Sequence, residues 1–156
     1  MLFPVWKQAN TTKSKNVAFV VQTHQIWQRE TNNYCVLCVT DPYVKIWLMN
    51  DGKKVEKKKT TVKDKTLNPE FNETFAFVVT YDRIRQASLV VSVMDYDRMG
   101  RNEPIGQLVL GAKSGPIEMK HWNEMFAKPR QSVVQWHMLK NLSWTMRHWL
   151  HSPAPC

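Results

Sequence analysis

Between Tyr43 and Leu139 the chain repeats one rhythm, a short run of strand-forming residues followed by a turn. That rhythm, with few helical stretches, restricts the fold to an all-β sandwich or barrel. In "YVKIWLM", 43–49, Val44, Ile46 and Leu48 alternate with Lys45 and Trp47. A period of two gives a strand one apolar face. "NDG", 50–52, is a hairpin turn signal, so the stretch from Lys53 to Val62 is the return strand. Pro69 in "TLNPEFNE" forces Asn68 out of helical conformation and marks a loop. "FNETFAFVV", 71–79, places Phe71, Phe75, Phe77 and Val79 on one face. "YDRIRQ" is a turn or a short helical piece. "SLVVSVM", 88–94, is almost wholly apolar and reads as a central strand. After the polar loop "DYDRMGRNEP" comes the strand "IGQLVL", 105–110. "IEMKHWNEMFA", 117–127, has helical spacing, with Met119, Trp122, Met125 and Phe126 on one side. "SVVQWHML", 132–139, is the last strand. Upstream, "NVAFVVQTHQIW", 16–27, and "YCVLCV", 34–39, could each supply one more. "NLSWTMRHWLHSPAPC", at the end, has no clear period, so an edge cover and a disordered tail both stay open.

The 156 residues suffice for one domain with a sizeable core. The formal net charge is +9, which points to anionic partners. Most of it is local. From Lys45 to Lys65 eight lysines face Asp51, Glu56 and Asp64, a balance of +5. The densest part, "KKVEKKKTTVKDK", 53–65, holds seven of those lysines. A charged edge strand protected from aggregation explains one or two of them. It does not explain seven, because like charges on a sheet repel. The stretch therefore reads as a binding surface. Simple alternation puts Lys54 and Lys58 on one side, and Lys57 and Lys59 on the other with Val55 and Thr61. No aromatic residue lies between Lys53 and Lys65 to stack on bases, which argues against nucleic acid. No apolar run reaches the roughly 18 residues of a membrane span, and "MLFPVWKQAN" lacks the marks of a signal peptide. A cytoplasmic location follows as the expectation.

Asp41 precedes a strand, and Asp95, Asp97 and Glu103 share one loop. Clustered carboxylates suit calcium, which takes about six to eight oxygens. Local turn chemistry is the plainer explanation of the same aspartates. Cys35 and Cys38 have metal-site spacing but no second pair, and His148 and His151 are far along the chain. That falls short of the four ligands of a structural zinc site. No Ser/His/Asp or Cys/His set suggests catalysis, so an enzyme is not expected. Tryptophan in "WHML", 136–139, reads first as core.

The segments "DPYVKIWLMNDGKKVEKKKT", "TLNPEFNETFAF", "VSVMDYDRMGRNEPIG", "KHWNEMFAKPRQ" and "QWHMLK" together resemble the second C2 domain of a synaptotagmin, continuously from Asp41 to about Lys140. Rabphilin and the double-C2 proteins are the near alternative. The resemblance implies a C2-type Greek-key antiparallel β-sandwich with one or two short helices. It implies no catalysis, and top loops that bind calcium and meet phospholipid. It implies that Lys45, Lys53, Lys54, Lys57, Lys58 and Lys59 bind phosphoinositide, membrane-fusion SNARE proteins and the clathrin adaptor complex. The family's docking motif corresponds to Trp136, His137 and Leu139, and its bottom basic pair to Arg130 and Gln131, so only Arg130 is basic here. The calcium set corresponds to Asp41, Asp95, Asp97 and Glu103.

Residues 1–40 depart from the family pattern, which leaves the N-terminal strands open to being incomplete. Cys35 stands where the family's first loop aspartate belongs, so calcium binding is expected to be weak or absent. The expected organisation is a divergent segment 1–40, a C2 domain 41–140 and a tail 141–156. The expected role is a non-enzymatic module of vesicle trafficking and exocytosis, peripheral on vesicle or plasma membrane, with self-association also open. The rival readings are a truncated, non-functional or interfering synaptotagmin fragment and a basic nucleic-acid module.

Overall fold

The computed structural model describes residues 4–10, 16–25, 40–66, 68–128 and 131–140. In chain order the strands are β1 (Pro4–Asn10), β2 (Asn16–Gln25), β3 (Pro42–Asn50), β4 (Lys53–Lys59), β5 (Glu70–Thr80), β6 (Ala87–Asp95), β7 (Glu103–Gly111) and β8 (Val133–Val134). A 3-10 helix covers Tyr81–Gln86, and helix α1 covers Pro116–Ala127. One sheet has the order β5-β2-β1-β8 and the other β4-β3-β6-β7, with every pairing antiparallel. Successive hairpins are split between the sheets, the Greek-key pattern of β-sandwiches.

The core begins with the residues whose alternation was legible. β6 is central and nearly all apolar because β3 and β7 flank it. Its register builds rows across the sheet: Leu48–Leu89–Leu110 and Ile46–Val91–Leu108, all buried. A third row, Val44–Val93–Gly106, lacks a side chain at its last position. Leu139 fills that gap, and a Cβ on Gly106 would lie 2.7 Å from the Leu139 Cβ. Phe71, Phe77 and Val79 of β5 meet these rows from the opposite sheet. The β3–β4 turn is the expected one. Asp51 and Gly52 both take positive φ, 50° and 72°, which closes a two-residue hairpin.

Several expectations change. The sandwich is not open on its N-terminal side, since β1 and β2 lie between β5 and β8 and complete a four-stranded sheet. "PVWKQAN" shows too little alternation to announce β1. β2 lies within the expected 16–27, whereas 34–39 falls outside the described residues. β4 stops at Lys59 rather than Val62, because Thr60 turns inward and its hydroxyl accepts the Val44 N–H at 2.9 Å. The last strand is short. Val133 and Val134 pair with β1, then the chain crosses over, and Lys140 exchanges two 2.9 Å backbone bonds with Gln107 of β7. Residues 131–140 thus touch both sheets. Finally, α1 buries Glu118, His121, Trp122 and Met125, and leaves Met119 at its surface. Trp122 and Met125 are buried as expected and Phe126 packs against the core, while Glu118 and His121 join them because each has a partner from the 133–140 segment.

Candidate functional site

Three groups of side chains follow from this frame. The first is the basic face. In the β3–β4 register Lys59 lies opposite Lys45, Lys57 opposite Trp47, and Lys54 opposite Met49. A β-bulge falls between Leu48 and Met49, and Val55 is the extra residue on β4. One inserted residue reverses the alternation beyond it. Lys54 therefore joins Lys57, Lys59 and Lys45 on the outer face. Lys58 lies opposite Ile46 and faces the other side. Its ammonium pairs with Glu56 at 3.2 Å and sits 5.4 Å from the Phe77 ring. Lys53, opposite Asn50, shares that side at the exposed turn. This corrects the face assignment made by simple alternation. Lys54 belongs with Lys57 and Lys59, and apart from Lys58.

Trp47 stands in the middle of the outer face. The ammoniums of Lys54 and Lys57 lie 5.0 and 5.4 Å from its ring centroid. A tryptophan on the neighbouring strand was invisible to a search for aromatics within 53–65. Partial burial holds the Lys45 ammonium below the usual lysine range, and the charges of Lys54 and Lys57 add to the effect. The face thus concentrates positive charge that an anion would relieve.

The second group is an open acidic cleft. Pro42 pairs with Asp95, and Asp95 with Glu103, so Asp41, Asp95 and Glu103 meet at one end of the sheet. Asp97 lines the same cleft, with Asp64, Lys65 and Arg98. Asp95 Oδ1 accepts the Asp41 N–H at 2.8 Å, and Asp41 Oδ1 accepts the Lys65 N–H at 2.7 Å. Asp97 Oδ1 accepts the Met99 N–H at 2.8 Å. Asp64 pairs with the Arg98 guanidinium at 3.3 Å. In the sequence Asp64 counted only as charge, and its place beside Asp41 depends on the loop after β4. All the donors are oxygens, which suits a hard cation. Yet among the described residues no three His, Cys, Asp or Glu side chains are grouped as a metal-holding set. Cys35 and Arg130 lie outside the described residues.

The third group contains the residues of the expected docking motif. Trp136 and Met138 are 44% and 62% exposed, whereas His137 is 2% exposed and Leu139 packs against the core. Alternation turns the motif's members to opposite sides, so Trp136, His137 and Leu139 present no common surface. His137 instead meets His121 of α1, with His121 Nδ1 2.8 Å from His137 Nε2. His121 Nε2 lies 3.2 Å from the Val133 carbonyl, which can only accept, so the proton is on that nitrogen. In neutral His121 the Nδ1 is then bare and accepts from His137 Nε2–H. His137 Nδ1 is bare too, and among the described residues it has no hydrogen-bond partner. Burial drives the His137 pKa down to about 4, helped by His121 and Lys140 and opposed by Glu118. Burial also lowers that of His121, against the Val133 carbonyl and Glu124. Beside them, buried Glu118 pairs with Lys140 at 3.0 Å. Neither His121 nor Glu118 was expected in the core, because their partners are distant in sequence.

A family model described as "C2 domain" matches residues 17–127. Synaptotagmin-7 of Mus musculus is 54% identical over 101 residues, 65% of this chain and 25% of that protein. Synaptotagmin-2 of Homo sapiens is 51% identical over 102 residues, 65% of this chain and 24% of that protein. The chain thus spans about a quarter of the length of these relatives. Among solved structures, a C2 domain of RIM from Drosophila superposes with a TM-score of 0.61 at 19% identity, over 89% of this chain and 98% of that one. Among the described residues no helix is long and apolar enough to cross a membrane.

Proposed function

The chain belongs to the C2 domain family, its matched part being a C2 domain of the synaptotagmin type, and from that premise we propose that it docks on anionic phospholipid surfaces through its basic sheet face. One observation supports this: Lys45, Lys54, Lys57 and Lys59 share one face of β3 and β4. The role is non-catalytic, and the location is peripheral on vesicle or plasma membrane. Acidic surfaces of SNARE proteins or of a clathrin adaptor would compete for the same lysines. The experiment is sedimentation of the purified chain with phosphatidylcholine vesicles carrying anionic lipid, with and without a calcium chelator. Binding is expected to persist in chelator and to fall steeply with salt. Loss of all binding in chelator would refute the reading.

Calcium is the minor partner in this proposal. Asp41, Asp95, Asp97 and Glu103 would hold it, supplying hard oxygens at the loop end of the sheet. Cys35 contributes a soft thiol where the family pattern has a carboxylate. Weak binding also fits a fragment that keeps the basic contacts without a calcium response. Isothermal titration of the parent is expected to show little binding, and Cys35→Asp to strengthen it. Tight binding by the parent contradicts the claim. No gain in Cys35→Asp means that more than one missing carboxylate is at fault.

A further inference from the structure

We propose that Trp47 is a positioning residue that gathers Lys54 and Lys57 over one ring, and that this makes the basic face prefer a headgroup with two or more phosphates over a diffuse surface of equal charge. The inference rests on the reading that this face binds anionic lipid.

The geometry carries it. Trp47 lies opposite Lys57 on β4 and opposite Val90 on β6, with Lys45 and Met49 beside it along β3. Both ammoniums stand within the roughly 6 Å at which a ring face attracts a cation. Two free lysines would splay, since their charges repel and their side chains are flexible. The indole opposes both tendencies. The bulge at Val55 is the other half of the device, because only through it does Lys54 reach the face that holds Trp47.

Gathered charge rewards gathered charge. A headgroup with neighbouring phosphates presents several anionic oxygens to both ammoniums at once, with the ordering already done. Separate monoanionic headgroups can arrange themselves around splayed lysines, so they gain little from the ring. Trp47 thus acts on selectivity more than on total attraction.

The test compares two vesicle types in chelator, phosphatidylcholine with phosphatidylinositol bisphosphate and phosphatidylcholine with phosphatidylserine at matched total charge. The parent is expected to prefer the first. Trp47→Leu should weaken binding to bisphosphate vesicles about three- to tenfold and leave serine vesicles within about twofold. Trp47→Phe, which keeps a ring face, should retain most of the preference. In a double-mutant cycle, Lys54→Ala should cost less in the Trp47→Leu background than in the parent, since the two act as a unit. Urea midpoints show that each variant is folded. Equal costs of Lys54→Ala in both backgrounds, or a preference unchanged in Trp47→Leu, overturns the inference. So does equal loss on both vesicles, which would make Trp47 a mere support of the strand. A parent that binds both vesicles alike sinks this inference and spares the underlying reading. A parent that binds neither sinks both.

Discussion

Alanine at Lys54, Lys57 and Lys59 together is expected to weaken binding to anionic vesicles about a hundredfold, at roughly 1 kcal/mol for each lysine near the surface. Alanine at Lys58 alone should change it by less than about twofold. Alternation separates Lys58 from Lys57 and Lys59, and the bulge brings Lys54 over to join those two. Lys58 is flanked in sequence by two of the three, yet it lies on the opposite face and pairs with Glu56. A reading of the strand by alternation alone would pair Lys58 with Lys54 and expect the two to behave alike. Sedimentation in chelator at several salt concentrations reads the difference, and the triple variant should also lose most of the salt dependence. If Lys58→Ala costs as much as Lys57→Ala, membrane contact is not divided by face, and the register has no functional meaning.

His137→Ala should destabilise the domain by about 3 kcal/mol. It removes a ring from a site 2% exposed and leaves His121 Nδ1 without the donor it faces. A second effect of the pair appears with pH. The His137 pKa is lowered to about 4 in the folded chain, against roughly 6.5 when unfolded. Stability from keeping this ring neutral is full above about pH 6.5, and is lost as pH falls from there through about 4, by about 3 kcal/mol in all. Urea midpoints across that range should fall for the parent and flatten for His137→Asn. Most carboxylates titrate lower, so the upper part of the window isolates the histidines. Should His137→Ala prove as stable as the parent yet fail to bind a partner, His137 would be a contact residue after all.

What could be read from the chain divides along physical lines. β3 and β5 were legible because one buried face imprints alternation, and β6 because a strand shielded at the centre of its sheet is apolar nearly throughout. The Asp-Gly turn was legible because positive φ restricts which residues fit. The acidic cleft followed from strand ends that register brings together. β4 was misread because "KKVEKKK" is polar on both faces, so nothing in its pattern marks where the phase slips at Val55. On α1, Trp122 and Met125 were legible from helical spacing, whereas Glu118 and His121 were not, because their partners Lys140 and His137 lie outside any local period. That Trp136 faces out while His137 and Leu139 face in was not read from the motif, although neighbours on an extended chain point in opposite directions.

The pairing of β1 with β8 also has a kinetic side. Val5 lies opposite Val134, so the sheet that holds them is closed by strands from nearly opposite ends of the described chain. Contacts of such long separation are slow to find, because the loop-closure entropy is spent before they return anything. The β3–β6–β7 rows join strands that are far closer together and should assemble first. On that order β8 pairs with β1 after the nucleus has formed. Val133→Ala should speed unfolding and leave the folding rate nearly unchanged. A slowed folding rate would instead put β8 inside the nucleus. The lifetime of the folded domain is then expected to respond to changes at β8 more than its folding rate does.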